Sequence, residues 1–185
     1  MGDPGHADWS RILRNFDQNA FHAASGGRNH WSDPDMLEVG VPGISAIEEQ
    51  SLFSLWAMSA APLWAGNDLT QMSPRTREIL TNRDVVAVDQ DSLGKPATLV
   101  LEDKPGLQVW ARPLAGEHGP QAVLLFNRTS EPAKMEVPWA DLGIYRQATV
   151  RDLWSHQDMG TLPNGYTTQV PAHGVVMLRI EPCPK

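Results

Sequence analysis

The chain has 185 residues, 41% hydrophobic and 20% charged, which supplies enough apolar material for a packed core and too little charge for a disordered segment. Its 15 basic and 22 acidic residues leave a net charge of −7; they are interspersed rather than gathered into runs, so nucleic-acid binding loses its main electrostatic support. No apolar stretch approaches the roughly 20 residues needed to cross a bilayer, and the lone Cys183 leaves neither an intrachain disulfide nor a cysteine-rich metal site.

In chain order, Met1 to His6 lack the basic and apolar regions of a signal peptide. Asp3 sits there in a Gly/Pro-rich loop, a carboxylate placed to act as an acid or base or simply to be solvated. Ile12, Leu13 and Phe16 share one helical face after Asp8 or Ser10 as N-cap, which predicts a helix over about 7–19. The densest polar signal follows at Trp31–Gly40, where Asp33 and Asp35 flank the rigid Pro34 ahead of a strand-like run. Two readings stand open: carboxylates presented to a cleft at a strand end, or an Asx-turn with a proline. Ser45-Ala-Ile-Glu48 has the form of a capping box, and the run through Leu52, Leu55 and Trp56 predicts a buried helix ending before Pro62. Ser73-Pro74 opens another helix, to about Thr81. Asp35–Val39 and Ala61–Gly66 read as short buried strands, and Asn67-Asp68 as a strand end or a cap for the next helix. The order strand, helix, strand, helix suggests the end of a parallel α/β sheet or barrel.

From about Ala97 the apolar residues alternate at period two. Strands are expected at Thr98–Leu101, Leu107–Arg112, Gln121–Phe126, Lys134–Val137, Gln147–Leu153, Tyr166–Val170 and Gly174–Ile180, with Gly- and Pro-containing turns between several of them; this spacing favours an antiparallel sandwich. His6, His22 and His30 are too irregularly spaced for a metal motif and read as surface or packing residues. There is no G-x-S-x-G elbow, and Gly26-Gly27 is not followed by a phosphate-loop pattern. No metal and no cofactor is expected. Seven tryptophans are numerous for this length and suit sugar rings, although most are expected in the core.

At Trp31–Gly40 the sequence closely resembles the W-N-D-P-D-M-L-x-x-G motif of the α-galactosidases, or melibiases, of glycoside hydrolase family 27, with Ser32 in place of the usual asparagine. The resemblance continues through Phe53-Ser-Leu-Trp-Ala-Met-Ser-Ala-Ala-Pro-Leu, Asn67-Asp-Leu, Ile79-Leu-Thr-Asn-Arg-Asp, Val109-Trp-Ala-Arg-Pro-Leu and Pro171-Ala-His-Gly-Val-Val-Met-Leu. It implies an α/β plus all-β chain: residues 1–95 as the C-terminal part of a (β/α)8 barrel and residues 96–185 as an antiparallel β-sandwich domain. It also implies retaining hydrolysis of terminal α-galactosides by two carboxyl groups about 5 to 5.5 Å apart. Asp3 matches the family's acid/base loop. The family's nucleophile motif, K-x-D-x-C, is absent from this sequence and would lie upstream. Asp35 and Met36 would line the galactose pocket, Asp33 would brace its loop, and Trp31 would support the site.

The implied partner is an α-galactoside oligosaccharide or glycoconjugate, with no nucleic acid and no membrane; the implied location is secreted or periplasmic. The resemblance also admits an α-N-acetylgalactosaminidase or a β-L-arabinopyranosidase. A non-catalytic carbohydrate-binding fragment is the rival reading. Asn127-Arg-Thr129 has the form of an N-glycosylation sequon and reads as a chance tripeptide. With an apolar helix face such as that of Leu52, Leu55 and Trp56 expected to be exposed, the 185-residue chain alone is expected to be inactive and uncooperative in its first 95 residues.

Overall fold

The computed structural model describes residues 5–27 and 29–184; Asp3 lies outside them. Four helices come first: α1 (Trp9–Phe21), α2 (Ala46–Met58), α3 (Pro74–Leu80) and α4 (Arg83–Asp89). Eight strands follow: β1 (Thr98–Lys104), β2 (Leu107–Pro113), β3 (Gln121–Asn127), β4 (Ala133–Pro138), β5 (Ala148–Asp152), β6 (Gln157–Leu162), β7 (Gly165–Val170) and β8 (Val175–Pro182).

Each helix starts where a side chain takes up an otherwise unpaired backbone donor. Asp8 accepts from the Arg11 N–H at 2.9 Å, so α1 begins two residues later than the apolar pattern predicts. Ser45 and Glu48 close the expected capping box on α2. Ser73 caps α3, with Pro74 at its first position. The sequence pattern predicts no element over α4, where Val85, Val86 and Val88 favour strand geometry. Asn82 caps it, and burial of Val85 and Val88, three residues apart on one face, overrides that preference.

The two strands expected at 35–39 and 61–66 shrink to one parallel bridge, Leu37 to Ala65. A parallel pair becomes a regular ladder through further strands beside it, and among the described residues neither segment has a second one.

β1, β2, β3, β8, β5 and β6 form one antiparallel sheet in that order, and β4 pairs with β7 in a second. The central strands of the six-stranded sheet, β2, β3 and β8, are buried on both faces. On one side Ala122, Leu124, Phe126 and Met177 join a core with Phe16 of α1 and with Leu52, Leu55 and Trp56 of α2. On the other, Val123, Leu125, Leu178 and Ile180 pack against Met135, Val137, Trp139 and Val170. Period two therefore divides β3 between two cores, which is why it reads as an unbroken apolar run. β6 escaped the sequence reading because five of its six residues are exposed.

Leu52, Leu55 and Trp56 are fully buried, contrary to the exposed helix face expected for them. The sandwich supplies the cover: α2 lies across β2, β3 and β8. Polar ties reinforce this contact. The Ser51 hydroxyl donates to the His173 carbonyl (2.7 Å), the Trp154 indole donates to the Ser54 hydroxyl (3.0 Å), and the buried Arg112 guanidinium donates to the carbonyls of Ala57 and Asp89. No helix of the described residues is long and apolar enough to cross a membrane.

Candidate functional site

The loop Ser32–Met36 enters the helical part between α1 and α2. Asp33 Oδ1 accepts the Asp35 N–H at 3.0 Å, an Asx-turn of the kind the sequence suggests. The turn leaves Asp35 at φ +91°, a left-handed conformation that costs a non-glycine residue on the order of 1–3 kcal/mol and persists only where surrounding contacts impose it. Those contacts are present. The buried Trp56 indole donates to the Asp35 carbonyl at 2.7 Å, and Asp35 Oδ1 accepts the Met36 N–H at 2.8 Å. Downstream, the Leu37 N–H reaches the Trp64 carbonyl and the Gly66 N–H reaches the Leu37 carbonyl. A Cβ at Gly66 would sit 2.7 Å from Met36 Sδ and 2.9 Å from the Leu37 carbonyl, so only glycine admits this close approach.

Ser32, Asp33, Pro34 and Asp35 form one wall of a cleft of about 790 Å³ whose other wall is α1, through Asn15, Gln18, Asn19 and His22. The Asx-turn reading of Asp33-Pro-Asp35 is seen directly, and the same residues line a cleft, although the strand expected after them is reduced to the Leu37 bridge. The α1 wall is an addition to the residues that the sequence singles out. Its signal was nevertheless in the sequence, since Asn15, Gln18, Asn19 and His22 fall at i, i+3, i+4 and i+7, a polar stripe on one helical face. Amides, a hydroxyl, an imidazole and two carboxylates give this cleft both donors and acceptors, the complement that a polyhydroxylated ligand demands.

Other residues singled out in the sequence lie elsewhere. Trp31 is 51% exposed and lines a separate hollow of about 430 Å³ with Ala60–Pro62 and Asp89–Ser92, so the loop does not carry it into the Asp33–Asp35 cleft. In that hollow burial pushes the Asp89 carboxyl up to about 6, against the opposing pull of Gln90 and Arg112. Asp68 accepts from the Thr70 N–H and hydroxyl, bonds that hold its carboxyl below the ordinary value. It caps a local turn rather than the next helix, whose cap is Ser73. Asn67 faces a further hollow beside Gly40 and Glu49. Trp64 is exposed, unlike the buried Trp56, Trp110 and Trp139. Among the described residues no group of three His, Cys, Asp or Glu side chains could hold a metal ion.

Two family descriptions match in tandem: "Alpha galactosidase A" over residues 7–91 and "Alpha galactosidase C-terminal beta sandwich domain" over residues 104–180. An α-galactosidase of Oryza sativa subsp. japonica is 44% identical over 151 residues, covering 80% of this chain and 36% of that protein. A probable α-galactosidase of Dictyostelium discoideum is 38% identical over 180 residues, 95% of this chain and 46% of its own length. The chain thus spans less than half of these relatives. Among solved structures, α-galactosidase I from Mortierella vinacea superposes with a TM-score of 0.88 at 32% identity, over 94% of this chain and 46% of that one. The Saccharomyces cerevisiae α-galactosidase with raffinose gives 0.83 at 25% identity, over 93% and 51%. A family 27 β-L-arabinopyranosidase from Geobacillus stearothermophilus gives 0.85 at 25% identity, over 95% and 42%.

Proposed function

Because the chain belongs to glycoside hydrolase family 27, the α-galactosidases or melibiases, as the C-terminal portion of the enzyme, we propose that it contributes part of the sugar site of a retaining α-galactosidase. We place the division between barrel segment and sandwich domain at residues 95 and 96. The observation that carries this reading is Asp35: its backbone is clamped in a left-handed conformation at a polar cleft, and its Oδ2 is engaged by no side chain or backbone donor among the described residues. A carboxylate held in this way accepts hydrogen bonds from sugar hydroxyls without first having to be ordered. Met36 lies beside it against Gly66, supplying apolar contact for a sugar face. Asp33 acts on the loop rather than on the ligand, through its bond to the Asp35 N–H. Trp31 supports the loop from the neighbouring hollow.

The hydrolytic chemistry proposed for the full-length enzyme is double displacement. A carboxylate upstream of this chain forms the galactosyl-enzyme, and Asp3 first protonates the departing oxygen and then deprotonates water. The substrate is an α-galactoside oligosaccharide or glycoconjugate, for which the raffinose-bound yeast neighbour gives support, and the site of action is secreted or periplasmic. Turnover of an aryl α-galactoside by full-length enzyme carrying Asp3→Ala, with and without azide, tests the assignment. Loss of turnover with rescue by azide is expected, whereas unchanged turnover removes Asp3 from the mechanism. β-L-Arabinopyranosidase activity is the second reading, favoured by the Geobacillus neighbour. Side-by-side rates on aryl α-galactoside, α-N-acetylgalactosaminide and β-arabinopyranoside separate the substrates.

A further inference from the structure

Asp35 is the one residue of the cleft loop with a left-handed backbone, and what holds it there comes from a different element. The Trp56 side chain rises from the last turn of α2 and is almost completely buried. Its single polar hydrogen goes to the Asp35 carbonyl at 2.7 Å. An indole has no second donor and no acceptor, so this bond uses all of its polar capacity. The donor is itself firmly placed. The next residue, Ala57, gives its carbonyl to the buried Arg112 guanidinium of β2, and the carbonyl of Met58 accepts from the Ala97 N–H at 2.8 Å. One turn earlier, Ser54 receives the Trp154 indole. The sandwich thereby fixes the turn of α2 that carries Trp56.

We infer that Trp56 is the positioning residue of the sugar site, setting the Asp35 peptide through its indole N–H from a helix that the sandwich holds in register. This rests on the reading of Asp35 as a sugar-binding carboxylate. Without the indole hydrogen the Asp35 carbonyl loses its partner, and the left-handed φ loses one of the contacts that impose it. The peptide then relaxes and the carboxylate leaves its ligand-ready orientation. A residue that acts in this way affects binding of the sugar more than the bond-breaking step.

The test replaces Trp56 in the full-length enzyme by 3-benzothienylalanine, which keeps the bicyclic ring but carries sulfur where the N–H was, with Trp56→Phe as a second variant. Each is also combined with Asp35→Ala, and KM and kcat are read on an aryl α-galactoside. The expected result for the isostere is a KM raised about tenfold with kcat within about twofold, and no further rise in KM when Asp35→Ala is already present. A KM increase of the same size in the Asp35→Ala background overturns the inference, because Trp56 would then act by another route. An unchanged KM for the isostere alone, with Asp35→Ala raising it, also overturns the inference and leaves the sugar-binding reading intact. Should Asp35→Ala itself leave KM unchanged, the sugar-binding reading fails and the positioning role falls with it.

Discussion

Asn127 shows how burial overrides a motif. Its tripeptide has the form of a glycosylation sequon, yet the residue is fully buried and its amide nitrogen is shared among the carbonyls of Glu131, Val170 and Pro171 at 2.8, 3.2 and 3.0 Å. The Asn127 side-chain Oδ1 accepts from the N–H and hydroxyl of Thr129. Asn127→Ala leaves several buried groups unpaired and should cost about 3 kcal/mol in denaturant unfolding. Peptide mass mapping after expression in a glycosylating host should find Asn127 unmodified. Asp89 gives a pH prediction. Its folded-state pKa of about 6 lies above the ordinary 3.8 because burial disfavours the charge, so its stabilising contribution is complete below about 4 and disappears as pH rises through about 6. Asp89→Asn should remove that fall between pH 4 and 6 and leave the protein more stable at pH 7 by roughly 1–3 kcal/mol, as thermal melts across the pH range would show. A steeper fall in the variant would contradict this.

At the scale of the element, α2 is held at both ends by different chemistry. Its N-terminus is closed locally by Ser45 and Glu48, and Glu48 Oε1 also takes the His173 ring nitrogen at 2.8 Å. The Glu48 carboxyl, pushed up by burial, is held lower overall by the Ser45 N–H and His173. Its C-terminus is closed from a distance: Arg112, with no exposed surface, donates to the last turn of α2 and to the end of α4. Cationic donors at helix C-termini satisfy orphan carbonyls and complement the helix dipole. Ser45→Ala should therefore cost about 1 kcal/mol. Arg112→Met strips donors from two buried helix ends and should cost about 3 kcal/mol. Chemical denaturation of the two variants compares these directly, and equal losses would show that the buried guanidinium does not brace the helices.

At the scale of the molecule, helices and sandwich share one core. Phe16, Leu52 and Trp56 pack with Leu124, Phe126 and Met177, and ion pairs such as Arg128 to Asp17 at 2.7 Å cross the same boundary. Burial of the α2 face against the sheet removes one reason for expecting the first 95 residues to be uncooperative, the exposed helix face. Large apolar side chains buried across one surface, at roughly 1.5–3 kcal/mol each, couple the melting of both sides. Loss of the far-UV helix signal should coincide with loss of the near-UV signal of Trp110 and Trp139. A helix transition well below that of the sheet would show the two parts to be independent.

Features that depend on neighbours within a turn or a strand are legible in the residues alone. Ser45-Ala-Ile-Glu and Ser73-Pro announce two helix starts, apolar alternation or, in β3, an unbroken apolar run between turn residues marks seven of the eight strands, and Asp33-Pro-Asp35 contains its own Asx-turn, because caps, pleats and tight turns are satisfied by residues a few positions apart. The family motif likewise lies in contiguous residues. Features that require an outside partner come from the packing of distant segments. α4 is a helix because Val85 and Val88 find a core to enter, and β6, with its outward-facing residues, is a strand because β5 offers it a ladder. Trp56 meets Asp35, 21 residues away in sequence, and Arg112 meets Ala57, 55 residues away. Residue spacing cannot encode which distant carbonyl a buried donor will reach, because that is set by how α2 lies on the sheet, and this packing makes one strained aspartate the fixed point of the cleft.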